Sequence, residues 1–206
     1  MLSEIENKIE VTKKALGSIS YVVKEVSAQE FYDFMTGEIF SEDKTTLDDV
    51  LGNEYLMVHE LVEINELKKM GRTIDKRVLI DSPKTVIYDA HLTAMQTELN
   101  YALYKRDYFW VKIRLRQYKE SVLDDDPNLP KEMRLRAEKL YEKFRRVIQT
   151  EKKIDWYLFW KRFNPIGINT LVKQIREFKP KFECNFLTPK TWIVNVYVNL
   201  NPHIKT

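Results

Sequence analysis

Two segments of the sequence each carry a histidine together with carboxylates at helical spacing. These residues are His59, Glu60, Glu63 and Glu66 in the first segment, and His91 and Glu98 in the second. Imidazole nitrogens and carboxylate oxygens are common protein ligands of zinc, manganese and iron. Water bound to such an ion loses a proton near neutral pH and can then attack a substrate. The two segments therefore predict a metal site with hydrolytic chemistry.

The spacing indicates how these residues would come together. At about 100° per residue, a helix places His59, Glu63 and Glu66 within a sector of about 60°, with Glu60 at its edge. In each segment the histidine precedes a glutamate by seven residues, close to two helical turns. If the two helices pack antiparallel, His59 comes level with Glu98 and His91 with Glu66. The expected metal ligands are His59, Glu63, Glu66, His91 and Glu98, and the expected base is Glu60.

The same residues have a second interpretation. The glutamates of the first segment would form a solvated face that pairs with Lys68 and Lys69, and the histidines would make ordinary hydrogen bonds. The first segment also lacks the second histidine of the zinc-protease helix. The repeated pattern in the second segment favours the metal site.

Start and stop signals indicate the elements that position these residues. Capping boxes predict three helix starts, at Ser3, Ser27 and Thr46. The first helix would cover about residues 3–16, and the second would end before Gly37. The third would run without interruption through His59 to Gly71.

The rest of the chain predicts more helices and a small β element. The apolar run at 77–80 is compatible with a strand, and Ser82 followed by Pro83 predicts the start of the helix that carries His91. That helix would extend to about Tyr118 or break near Asp107. Further helices are predicted over 130–149 and 168–178, with a β-hairpin formed by 184–187 and 192–200. The predicted fold class is mainly α, a multi-helix bundle with a small β-hairpin or strand near the C-terminus.

Composition bounds the class of protein. With 206 residues, 44% of them hydrophobic, the chain can form one domain over 1–206. The single cysteine, Cys184, excludes an intramolecular disulfide and two-cysteine zinc sites. The polar N-terminus and the lack of an apolar stretch of about 18 residues predict a cytoplasmic protein that does not enter a membrane. The abundance of lysine and glutamate is a mild indication of a heat-adapted, thermophilic source.

Charge is distributed unevenly along the chain. Residues 1–100 contain 19 acidic and 11 basic residues, whereas residues 101–206 contain 12 acidic and 23 basic residues. The basic half favours a phosphorylated ligand, or a non-catalytic interaction module that binds nucleic acid or an acidic protein. Lys112, Arg116 and Lys119 are the candidate nucleic-acid contacts. They are interleaved with Arg114 and with the aromatic residues Tyr108, Phe109, Trp110 and Tyr118, which would stack on bases. By helical periodicity, Phe109 and Tyr118 would instead be core positions. The aromatic cluster at 156–160 favours a central core helix and leaves a homodimer contact or a ligand wall open.

Overall fold

The computed structural model describes residues 1–40 and 45–150, which belong to one compact unit, Met1–Ile154. These residues are mainly helical and contain no strand, which confirms the mainly α prediction for this part of the chain. The helical elements, in chain order, are α1 (Leu2–Gly17), α2 (Ala28–Met35), α3 (Leu47–Leu51), α4 (Glu54–Lys69), α5 (Val78–Asp81), α6 (Lys84–Tyr104), α7 (Tyr108–Tyr118), a π segment (Lys119–Asp124) and α8 (Lys131–Thr150). The predicted hairpin within 184–200 and the predicted helix over 168–178 lie outside the described residues. The single domain over 1–206 stays a prediction.

Side-chain caps determine where the first helices begin. The box predicted at Ser27 is present, because the Ser27 hydroxyl accepts from the Glu30 amide and the Glu30 carboxylate accepts from the Ser27 amide. The box predicted at Ser3 is wrong, since α1 begins one residue earlier with Met1 as its N-cap and no side-chain cap bond. Both helices lie close to their predicted positions because the apolar periodicity, and not the cap alone, sets them.

The long helix predicted to start at Thr46 is two helices, α3 and α4. Its capping box forms as expected, but α3 has only five residues. The Asn53 side chain then accepts hydrogen bonds from the amides of Tyr55 (2.9 Å) and Leu56 (3.2 Å), which caps α4. A capped start satisfies amides that have no partner within the helix. The prediction of one continuous helix is therefore wrong, and α4 begins only five residues before His59.

Three further boundaries are set by local contacts. The apolar run after Arg77, compatible with a strand by sequence, belongs to the one-turn helix α5. Arg77 pairs with Asp81 four residues later at 3.0 Å, a spacing that stabilises a helical turn. Pro83 is the N-cap of α6 rather than its first residue. The break predicted near Asp107 is confirmed, because its carboxylate accepts from the Trp110 amide at 3.0 Å and caps α7.

Helices α4 and α6 pack antiparallel at the centre of the bundle. Their contacts run in opposite directions, since Glu54 meets Tyr101 at one end and Glu63 meets His91 further along. Ala94 on α6 is fully buried, and its small side chain allows the two backbones to approach. Helices α1, α2 and α3 pack on α4, and α7 and α8 pack on α6. The seam between α4 and α6 is thus largely covered by the other helices.

The elements that follow α6 in the chain pack on one another, and α7 and α8 pack on α6. Helix α7 continues directly into the π segment, and the Tyr118 hydroxyl donates to the Ala137 carbonyl at 3.1 Å, which joins α7 to α8.

Among the residues that the structure describes, no helix combines the length and the apolar composition needed to cross a bilayer.

Candidate metal centre

Helices α4 and α6 bring three of the predicted ligands together on the seam between them. His59 and Glu63 are four residues apart on α4 and therefore project from the same face. His91 comes from α6, with its ring centroid 4.9 Å from that of His59. The side chains of His59 and Glu63 are 2% and 8% exposed, whereas that of His91 is 27% exposed. The group therefore has one edge accessible to solvent, at His91.

One atom of each side chain forms a triangle with short edges. His59 Nε2 lies 3.3 Å from Glu63 Oε2 and 3.3 Å from His91 Nδ1, and His91 Nδ1 lies 3.0 Å from Glu63 Oε2. Two ligand atoms about 2.1 Å from one ion are about 3.4 Å apart at the tetrahedral angle and about 3.0 Å apart at the octahedral angle. The three edges match these separations, so this group could hold a metal ion with little movement of the side chains.

Glu98 lies beside the triangle and not in it. The side chain is fully buried, and Oε2 accepts from His59 Nδ1 at 2.8 Å. The Trp110 indole donates to Oε1 at 2.7 Å, and Arg114 Nε lies 3.0 Å from Oε1 and 3.1 Å from Oε2. Each oxygen thus has two donor contacts, as many as it has lone pairs, with the Arg114 Nε–H shared between the two oxygens. The sequence predicts a metal ligand at Glu98, whereas the structure shows a hydrogen-bond partner of His59.

Glu66, also predicted as a ligand, makes its hydrogen bond and its ion pair with residues outside the triangle. Its carboxylate accepts the hydrogen bond of the Tyr21 hydroxyl and pairs with Lys69 at 2.7 Å. The expected pairing of His59 with Glu98 is present, but His91 contacts Glu63, one turn before Glu66, instead of Glu66 itself. The reason is that the chain segment after α1 packs along this side of α4 and supplies Tyr21, a contact that the spacing within α4 does not reveal.

Burial and hydrogen bonding act in opposite directions on the ionisable groups of the triangle. Burial lowers the pKa of His59, but hydrogen bonds to Glu63 and Glu98 and the charge of Glu60 outweigh it and raise the pKa to about 10. Burial raises the pKa of Glu63, but the interaction with His91 and the hydrogen bond to His59 lower it to about 2. Without a metal, His59 is therefore a buried cation between carboxylates at neutral pH.

The neighbouring carboxylate of Glu98 is ionised as well. Burial raises its pKa, but the charge of Arg114 and the hydrogen bond from His59 outweigh that effect and lower it. The contacts agree with this assignment, because Trp110 and Arg114 are donors only, and a protonated carboxyl would lose an acceptor position to its own proton.

Glu60, the predicted base, follows His59 directly and is partly buried. Because successive residues of a helix are turned by about 100°, it does not point in the same direction as His59. Its charge nevertheless contributes to the raised pKa of His59, which indicates that it lies near the edge of the centre.

The three candidate nucleic-acid contacts share one face of α7 and the π segment. These exposed residues are Lys112, Arg116 and Lys119. The aromatic residues interleaved with them include Trp110, which stacks on Tyr55 with ring centroids 4.8 Å apart, and Tyr118, which is buried. The burial of Tyr118 agrees with its predicted core position, whereas the stacking of the partly buried Trp110 on Tyr55 was not predicted.

Arg114 and Trp110, named above only in connection with nucleic-acid binding, are neighbours of the centre. Trp110 stacks on Tyr55, whose hydroxyl donates to Asp107 at 2.9 Å, and these contacts fix the start of α7 against α4. Periodicity gives no signal for their pairing with Glu98, because the break at Asp107 separates the two helices. The one indirect signal is that a buried glutamate needs a cation or several donors.

Comparison of the chain with protein-family models, curated proteins and solved structures finds no match.

Proposed function

We propose that the protein binds a divalent transition metal through His59 Nε2, Glu63 Oε2 and His91 Nδ1. The observation that carries this proposal is the triangle of these atoms, whose edges of 3.0 to 3.3 Å match the separations of ligands on one ion. Two nitrogen ligands and one oxygen ligand favour zinc, manganese or iron over calcium and magnesium, which take oxygen ligands. Three protein ligands leave at least one position of the ion open for water.

The open position supports a proposal of metal-dependent hydrolysis. In the zinc-protease helix, two ligands lie four residues apart, and a glutamate directly after the first ligand is the general base. His59 and Glu63 have this spacing, and Glu60 has the position of the base. The exposed edge at His91 gives a substrate access, and the basic residues of the second half favour a phosphorylated one.

The competing account is a buried network of histidines and glutamates that only stabilises the packing of α4 on α6. Both accounts include the same hydrogen bonds, so stability measurements alone do not separate them. They differ in whether an ion binds.

Elemental analysis separates the two accounts. The purified protein is incubated with zinc, manganese or iron(II) and passed over a desalting column, and we expect about one ion per chain. His59→Ala and His91→Ala should each lose the ion, whereas His203→Ala, which removes the third histidine of the sequence, should keep it. A wild-type chain that binds none of the three ions would refute the proposal. Equal metal content in His59→Ala would show that the ion binds elsewhere.

A second proposed function is binding of nucleic acid or an acidic protein through the basic half. The observation that favours it is the shared exposed face of Lys112, Arg116 and Lys119. Phosphate contacts weaken as salt rises, so RNA and single-stranded DNA binding should be measured over a salt series. Reversing the charge of Lys112 and Arg116 should reduce both the affinity and its dependence on salt. Affinity that these changes leave unaltered would exclude this face.

A further inference from the structure

We infer that Glu98 is a positioning residue for His59, and that Trp110 and Arg114 of α7 restrict Glu98 to that role. The inference rests on the proposed metal site and deepens it. It is carried by the contacts of one buried carboxylate, which join α6 and α7 to a single imidazole ring of α4.

The contact with Glu98 determines which nitrogen of His59 carries a proton. Nδ1 lies 2.8 Å from Glu98 Oε2, and an ionised carboxylate is only an acceptor. Nδ1 must therefore carry a proton, and Nε2 is the nitrogen that can bind an ion. Nε2 is also the atom that faces Glu63 and His91, so the tautomer fixed by Glu98 is the one that the triangle requires.

Helix α7 determines the orientation of the Glu98 carboxylate. A glutamate side chain that accepted only from His59 could rotate and approach the ion as a fourth ligand. The indole of Trp110 and the guanidinium of Arg114 occupy the remaining lone pairs and bind the carboxylate from the side of α7. A fourth protein ligand would make the centre a closed, structural type of site, whereas three ligands keep a position open. Docking of α7 thus contributes to the open coordination of the ion.

Positioning of His59 and simple stabilisation of the fold have different measurable effects. A buried ion pair between Glu98 and Arg114 would stabilise the packing of α7 whether or not His59 binds metal. A stabilising role alone changes the unfolding of the metal-free protein. A positioning role also changes the affinity for the ion and the geometry of its ligands, which the visible absorption spectrum of bound cobalt(II) reports directly.

Cobalt(II) is therefore titrated into the wild-type full chain and into three variants. Glu98→Gln should weaken cobalt binding about 10- to 100-fold, the usual loss for a residue that orients a ligand, and should change the spectrum at saturation. Trp110→Phe keeps the stacking on Tyr55, removes one hydrogen bond to Glu98, and should weaken binding less, about three- to tenfold. Glu30→Gln is the matched control. It removes another glutamate–cation pair, with Lys68, away from the centre, and should alter only thermal stability.

The outcomes separate this inference from the proposed function. A wild-type chain that binds no cobalt overturns the proposed function and this inference together. Wild-type binding with the same affinity and spectrum in Glu98→Gln overturns the inference alone. If Glu98→Gln does not fold, Trp110→Phe decides, because an affinity and spectrum identical to those of Glu30→Gln would show that Glu98 has no positioning role.

Discussion

Metal binding at this centre should release a proton from His59. Burial lowers the pKa of this residue, but the hydrogen bonds to Glu63 and Glu98 raise it to about 10. At neutral pH the imidazole therefore carries both ring protons, and a metal ion must replace the proton on Nε2. Glu63, with its pKa lowered to about 2, is already ionised and contributes no proton.

The pKa of His59 sets the size of the effect. Since pH 7 lies about three units below a pKa of about 10, competition with the proton weakens the apparent affinity about a thousandfold there. As long as the pH stays below that pKa, the affinity should rise about tenfold per unit, or about a hundredfold between about pH 6 and pH 8.

Isothermal titration calorimetry measures the proton directly. Zinc is titrated into the metal-free protein at constant pH in two buffers with different enthalpies of ionisation, and the difference between the observed enthalpies gives the number of protons released. We expect about one proton from His59. The control Glu30→Gln, whose carboxylate lies outside the centre, should release the same number.

Two results together would refute this reasoning. They are an observed enthalpy that does not depend on the buffer, and an affinity that does not change over this range of pH. His59 would then be neutral in the metal-free protein, or it would not be a ligand.

Three further results are expected. By thermal unfolding, the metal-free protein should be most stable between about pH 4.5 and 6.5. The raised pKa of His59 contributes stability that is complete below the ordinary value of 6.5 and is lost as the pH rises toward 10. The lowered pKa of Glu63 contributes stability that is complete above the ordinary value of 4.5 and is lost as the pH falls toward 2. A maximum of thermal stability in the alkaline range would contradict the direction of these two pKa shifts. Glu63→Gln should abolish metal binding and lower the free energy of unfolding by about 3 kcal/mol, measured in urea, because a buried cation loses a partner; an unchanged unfolding midpoint would show that the pair contributes nothing. Asn53→Ala should cost about 1 kcal/mol through loss of the α4 cap, with most of it recovered in Asn53→Gly, and equal stability of the two variants would exclude the cap as the cause.

Local sequence determined much of the helical framework. The box at Ser27 and the cap at Asp107 depend on residues within three positions of each other, and the structure has both. The placement of His59 and Glu63 on one face also follows from helical geometry alone. The errors at this level came from competing short-range signals, as at Asn53, where a second cap divides a predicted helix.

The tertiary structure alone decided which carboxylates approach the histidines. Glu63 and Glu66 share a sector of α4, and the sequence predicted both as metal ligands together with His91. Binding of Glu66 by Tyr21, from a segment more than 40 residues away, leaves Glu63 at the seam.

The role of Glu98 was likewise decided by tertiary contacts and not by its position in the sequence. Its seven-residue distance from His91 indicated a shared face, but nothing in that spacing distinguishes a metal ligand from the partner of one. Trp110 and Arg114 decide this by occupying its lone pairs, and they reach it only because α7 packs back onto α6. Periodicity and caps depend on neighbours along the chain, whereas register and hydrogen-bond saturation depend on which distant side chains the packed core brings within about 3 Å.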